Sequence, residues 1–260
     1  MTYLDTIVEL RRSDVAAAKA AVPLAAFRDF AARRTGRRNF AAAIRANKPA
    51  IVAEFKRRSP SSGTISACAD PARFAAACER GGAAALSVVT EPRFFGGGLD
   101  DLRAARAASR LPTLCKDFVV DEYQLWEAAA AGADAVLLIA ALLDDLRLGV
   151  LVQRAALMGL GALVEVHDEI EARRALQARA SLIGINNRDL RTFDVDIATA
   201  IRVRRAIPES SATIGESGYG TPEEVAAGCA AGLAGMLVGT RLMRDRDPES
   251  AVRRLLGGPT

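Results

Sequence analysis

Histidine and lysine are the scarce residues of this chain. Of its 260 residues one is histidine, His167, and four are lysine: Lys19, Lys48, Lys56 and Lys116. A lone histidine argues against the usual metal sites and against a Ser-His-Asp triad. Aromatics make up 5% of the chain, and the arginines come as short, scattered pairs such as Arg11–Arg12, Arg33–Arg34 and Arg37–Arg38. Nucleic-acid binding calls for a concentrated basic stripe with interleaved aromatics, so no nucleic-acid partner is expected. The four cysteines (Cys68, Cys78, Cys115, Cys229) stand far apart with no C-x-x-C, which argues against zinc and a disulfide framework. No apolar run approaches the ~18–20 residues of a membrane helix, and the polar N-terminus lacks a signal-peptide pattern. A cytoplasmic protein without a membrane partner is expected.

What is present is a large core. Half the residues are hydrophobic, and a length near 260 suits one α/β barrel or two ordinary domains. One unit recurs: an Ala-rich amphipathic stretch, a glycine, then four to six largely apolar residues. It is seen at Gly82 before Ala85–Thr90, Gly132 before Ala135–Ile139, Gly161 before Ala162–Val166, and Gly232 before Ala234–Gly239. Glycine accepts the left-handed conformation that ends helices, and continuous apolar runs are what strands covered on both faces look like.

Eight such runs lie near 50–55, 85–89, 112–116, 135–139, 162–166, 181–186, 211–215 and 234–239. Pro71, Asp121, Asp168 and Pro222 mark starts of intervening helices. The pattern predicts a (β/α)8 TIM barrel occupying residues 1–260 as a single domain, with eight β/α units over 50–245. An open sheet is the alternative, but the segment after the first strand is basic where a Gly-rich dinucleotide loop would stand. Residues 1–45 read as a helical extension. Its Leu4, Val8, Phe27 and Phe30 are expected to pack on the barrel's side rather than over its mouth.

Barrel active sites lie at the carboxyl ends of the strands. Polar residues that end apolar runs are therefore the candidates. Glu54 and Lys56 close the first strand, Lys116 the third, Glu165 the fifth, Asn186 and Arg188 the sixth, and Glu216 and Ser217 the seventh. Glu54 and Lys56 are two apart and share a face. Most of these charges come from odd-numbered strands, and alternate strands fill each layer of a barrel interior. Inward-facing, they converge. Buried ion pairs contribute little to stability on balance, so charges kept there point to function. Where charge serves only solubility this chain uses arginine. Lysine differs in that burial can bring its pKa toward neutrality for acid–base work. His167 reads as a capping or supporting residue at the start of the next helix. Gly218, Gly239 and Thr240 sit where barrels often bind phosphate, and the loop Lys56–Ser61 is expected to add positive charge. Phe94, Phe95 and Phe118, in loops at the same end, suit a flat apolar substrate portion.

These residues together resemble the indole-3-glycerol-phosphate synthase family. The likeness is carried by Ile51-Val-Ala-Glu-Phe-Lys-Arg-Arg-Ser-Pro-Ser61, Leu86–Glu91 with Phe94-Phe-Gly96, and Leu114-Cys-Lys-Asp-Phe118. It continues through Leu163-Val-Glu-Val-His167, Ile183–Leu190, Gly215-Glu-Ser-Gly218 and Leu237-Val-Gly-Thr240. The resemblance implies a tryptophan-pathway lyase that converts 1-(o-carboxyphenylamino)-1-deoxyribulose 5-phosphate into indole-3-glycerol phosphate, CO2 and water, without cofactor or metal. It implies a catalytic set of Lys116, Glu165, Glu54, Lys56, Asn186 and Glu216, with Lys116 as general acid. Arg188 and Ser217 would help position the sugar chain and carboxylate. Phosphate would fall to Ser59, Gly218, Gly239 and Thr240, and the aromatic ring to Phe95, Phe118, Leu137 and Leu190, with Pro60 nearby. Thr240 stands where the family usually has serine, and Tyr219 where a smaller aliphatic is usual. The partner implied is a small phosphorylated molecule, and a monomer is expected. An Amadori isomerase of the same pathway is a poorer match, since it normally pairs Cys or Asp with Asp. A metabolite-binding module without catalysis would need no converging bases.

Overall fold

A computed structural model describes residues 3–32, 35–66 and 69–258, with the side chains of Tyr3 and of residues 29–32 outside that description. Eight parallel strands form a closed barrel. They are β1 (Ala50–Phe55), β2 (Ala85–Val89), β3 (Thr113–Lys116), β4 (Ala135–Ile139), β5 (Gly161–Val166), β6 (Leu182–Asn186), β7 (Ala212–Glu216) and β8 (Gly235–Val238). Closure is made by β1, which pairs Val52 with Leu237 on β8 and Glu54 with Ser87 on β2. The open-sheet alternative is thereby excluded. All eight strands have bounds within one residue of the sequence pattern. Only the role of Gly161 differs from expectation, because it begins β5 and the preceding helix ends at Met158 and Gly159.

The helix starts follow the expected chemistry. Asp70 accepts from the backbone of Ala72 and Arg73 with Pro71 next in line, and Asp121 and Thr221 form reciprocal capping boxes with Gln124 and Glu224. Gly82 and Gly132 end their helices with φ of 94° and 99°, which an L side chain resists.

Alternation along the strands divides the core in two. Residues such as Ile51, Leu86, Val136, Val164 and Ile183 face the helices. Their alternates Val52, Leu114, Leu137, Leu163, Leu182, Ile214 and Leu237 fill the barrel interior. That interior also contains Phe40 and Ile44 of a short helix, α3 (Phe40–Ala46), at 1% and 0% exposure. Phe40 lies against Gly161 at the start of β5. So α3 plugs the barrel where its strands begin. Each of these two side chains contributes about 1.5–3 kcal/mol of burial.

The rest of the extension, α1 (Tyr3–Ala21) and α2 (Leu24–Ala32), lies elsewhere. Val8 and Phe27 pack on the side of the barrel against a cluster of Val15, Val120 and Tyr123, as expected. Leu4 does not. It lines the barrel's mouth together with Ile7. A helix packed on the side of a barrel reaches its rim when it is long enough, and at ~1.5 Å per residue the 19 residues of α1 span nearly 30 Å. The side chain of Phe30, and Cys68, lie outside the described residues. Cys78, Cys115 and Cys229 are free.

Candidate active site

The carboxyl ends of the strands open into a cavity of about 1160 Å³. Its floor is the charged layer. Glu54 (β1), Lys116 (β3), Glu165 (β5) and Glu216 (β7) all point inward, from odd strands only. Lys116 Nζ lies 2.7 Å from Glu216 Oε2 and 3.1 Å from Glu165 Oε2. Lys56 Nζ lies 2.5 Å from Glu54 Oε1. The three carboxylates are 1–3% exposed.

The intervening even strands leave room for these groups. A Cβ on Gly184 of β6 would stand 2.1 Å from Glu216 Oε1, and one on Gly239, just after β8, 2.3 Å from Glu54 Oε1. Gly184 escaped the sequence reading. Its only signal there was a glycine interrupting an otherwise aliphatic strand, a common mark of close approach.

Asn186 ties the charged layer to the loops that follow β6 and β7. Its Nδ2 donates to Glu165 Oε1 at 3.1 Å, while its Oδ1 accepts from the Arg188 backbone at 3.0 Å and from Ser217 Oγ at 2.9 Å. Ser217 has a φ of 61°, a conformation non-glycine residues seldom hold. The neighbouring amide Asn187 Nδ2 donates to the Ser217 carbonyl at 2.9 Å and holds that turn. Arg188 donates to the Phe193 carbonyl and lines the cavity beside Leu190.

The electrostatics of the site differ from the expectation. Burial alone would discharge Lys116, but Glu216, Glu165 and Glu54 outweigh it and raise its pKa above the ordinary lysine value. Lys116 is held as an ammonium and is not brought toward neutrality. The group brought toward neutrality is Glu216. Burial pushes its pKa up to about 7, against the pull of Lys116 and with the help of Glu165. Glu165 goes the other way: burial opposes its ionisation, but Lys116, His167 and Asn186 hold its pKa below the carboxylate range.

Above this floor stand the apolar and phosphate-facing candidates. Phe95 and Phe118 have centroids 5.9 Å apart, tilted by 42°. With Leu137, Leu190 and Pro60 they line one side of the cavity. Ser59, Gly218, Gly239 and Thr240 line it too, and Ser59 Oγ accepts from the Ser62 backbone at 3.1 Å. Phe94 is not among the lining residues. Nor are Arg57 and Arg58, against the expectation of a basic loop there. Arg57 pairs with both oxygens of Asp101, and Arg58 donates to the carbonyls of Pro92 and Arg93. Their charge is turned away because each guanidinium finds acceptors at the loop's outer edge. Arg241 and Arg254 line the cavity instead; the sequence reading missed both, since nothing in their spacing separates them from surface arginines.

The extension is pinned beside this floor. Arg11 Nη2 of α1 lies 2.9 Å from Asp117 Oδ2, the residue after Lys116, and Thr90 Oγ1 donates to the same oxygen at 2.8 Å. Tyr123 OH donates to the carbonyls of Ala18 and Val22.

Fold and site define a (β/α)8-barrel enzyme whose mouth joins a lysine-centred acid–base cluster to an aromatic wall and a glycine-rich rim. The family model described as indole-3-glycerol phosphate synthase matches residues 4–255, and the chain belongs to that family. A protein of that name from Mycolicibacterium gilvum is 48% identical over 259 residues, spanning 100% of this chain and 95% of that one. One from Streptomyces griseus is 46% identical over 256 residues, 98% and 95% of the two chains. Among solved structures, 3-hexulose-6-phosphate synthase matches with a TM-score of 0.60 at 17% identity, over 80% of this chain and 98% of that one, a likeness of fold alone.

Proposed function

We propose that this chain closes the indole ring of 1-(o-carboxyphenylamino)-1-deoxyribulose 5-phosphate, releasing CO2 and water, with Lys116 as the general acid. The observation that carries this reading is the ammonium of Lys116 held between Glu165 and Glu216 beneath the Phe95–Phe118 wall. Ring closure joins the ring carbon bearing the carboxylate to the ketone carbon. The ketone oxygen gains a proton as the bond forms, and an ammonium is the form that supplies one. The iminium then takes the electrons of the departing carboxylate. Glu165, with Glu54 and Lys56, serves the proton transfers of the final dehydration. Charge fixed in a water-poor pocket is the main catalytic term.

Asn186, Arg188, Glu216 and Ser217 position the sugar chain and the carboxylate. The aromatic ring lies among Phe95, Phe118, Leu137 and Leu190, with Pro60 beside it. Ser59 and the backbone of Gly218, Gly239 and Thr240 take the phosphate. Residues 1–260 act as one barrel domain with 1–45 as its extension. The chain acts as a monomer in this reading. Many arginines, such as Arg80, Arg174 and Arg202, are paired with neighbouring carboxylates, which supports a small phosphorylated partner over nucleic acid.

Mixing the chain with the carboxyphenylamino substrate and following emission at indole wavelengths tests the proposal. A rise that saturates with substrate supports it. No rise from the folded chain overturns it.

A further inference from the structure

His167, the one histidine, stands outside the set just proposed, yet it touches that set. Its ring is wedged between two carboxylates. Nδ1 lies 3.0 Å from Glu171 Oε2, and Nε2 faces Glu165 Oε1 at 3.5 Å, a charge contact rather than a hydrogen bond, with no other hydrogen-bond partner among the described residues. Glu171 is itself fixed. Its backbone N–H donates to the N-cap Asp168, and its carboxylate also accepts from the His167 backbone at 2.8 Å. The first turn of the helix Glu169–Gln177 thus clamps the ring against β5.

A neutral imidazole carries one N–H. With the proton on Nδ1, the Nε2 lone pair would aim at the Glu165 oxygen. With it on Nε2, a lone pair would aim at Glu171 across 3.0 Å. Only the doubly protonated ring offers a donor to each carboxylate. Glu165 would then meet a cation on two sides, Lys116 at Oε2 and His167 at Oε1, with Asn186 donating beside the latter. Glu216 meets one, Lys116, and its Oε1 has no hydrogen-bond partner among the described residues.

We propose that His167 is a positioning residue, carried as an imidazolium, that keeps Glu165 ionised, oriented and able to take a proton, and so leaves the resting proton of the pair on Glu216. The inference rests on the reading of Glu165 as a proton-transfer residue. The physical reason is symmetry breaking. Two buried carboxylates that share one ammonium would otherwise compete equally for a proton. The charged groups around the ring are Glu165 on its own strand and Glu171 on the following helix. Beyond Glu165 stand Lys116 from β3, Glu216 from β7 and Glu54 from β1. Burial opposes the ring's charge, but the two carboxylates outweigh it and lift its pKa to about 10.

Because the chain has one histidine, ring-nitrogen shifts of the 15N-labelled, untagged protein report this group alone. Both nitrogens are expected to stay protonated from pH 5 to 9 in the wild-type chain. A ring that titrates near its ordinary value of about 6.5 overturns the proposal whatever the activity. The second arm is kinetic. His167→Gln is expected to lower kcat by about tenfold, part of the ~10²–10⁴ a positioned acid or base supplies. It should leave KM within about twofold and move the acid limb of the pH profile upward by about one unit, because Glu165 has lost a cation. His167→Lys should restore part of the loss. A His167→Gln chain with altered thermal stability but unchanged kcat and pH profile would show a helix cap and nothing more, which overturns the proposal. Failure of the wild-type chain to form indole would instead sink the proposed function, and the ring-nitrogen measurement would still stand.

Discussion

Glu216 occupies space that Gly184 leaves empty. A Cβ on Gly184 would lie 2.1 Å from Glu216 Oε1, closer than any real contact allows. The carboxylate can enter the charged layer from β7 only because its β6 neighbour has no side chain. Gly184→Ala is therefore expected to displace Glu216, lowering kcat by about 10²-fold, as for a lost transition-state donor. Overpacking there should cost about 1–3 kcal/mol. Gly149→Ala, in an open position on the helix Asp145–Leu157, should instead stabilise by about 0.5–1 kcal/mol. Indole emission and thermal unfolding of the two variants check both expectations.

Lys116→Arg keeps a cation beside Glu165 and Glu216 but replaces a compact ammonium with a larger planar guanidinium that cannot place a proton at the same point. The variant should fold, by circular dichroism, and lose at least ~10²-fold in turnover. Near-normal indole formation would remove Lys116 from the general-acid role.

Glu216 carries a pKa raised to about 7, chiefly by burial. An unfolded glutamate ionises near 4.5, so between these values the native state binds more protons than the unfolded one. Stability attributable to this group therefore falls as pH rises from about 4.5 through 7. Glu216→Gln removes that loss. Denaturant midpoints of the wild-type and variant chains from pH 5 to 8 should diverge in favour of the variant. Parallel curves would mean that Glu216 titrates as an ordinary carboxylate.

Arg11 and Asp117 form a pair in which both side chains are about nine-tenths buried. Arg11→Met leaves Asp117 with Thr90 and the Phe118 backbone as its donors among the described residues. Breaking such a pair typically costs ~3–5 kcal/mol. The expected result is faster hydrogen exchange along α1, a several-fold rise in KM from the loss of Leu4 and Ile7 at the mouth, and little change in exchange within β1–β8. Unchanged exchange in α1 would show that Tyr123 and its neighbours hold the helix without Arg11.

The amino-acid sequence by itself determined the strands, their number and the polar residues at their ends. Continuous apolar runs, terminal glycines and capping residues are local signals, and a period of two assigns Glu54 and Lys56 to one face. The motifs around Lys116 and Glu54 carried the family. Distances across the barrel decided the rest. The charge states of Lys116 and Glu216 depend on three carboxylates brought together from strands as far apart in the chain as those of Glu54 and Glu216, and no local pattern encodes that sum. The roles of Gly184 and Gly239 depend on register between neighbouring strands. The outward turn of Arg57 and Arg58, and the placement of Leu4 at the mouth while α3 plugs the opposite end, depend on which acceptors and apolar surfaces lie nearby after folding. Side-chain chemistry is written in the sequence, whereas proximity, and with it protonation, arises only when the barrel closes.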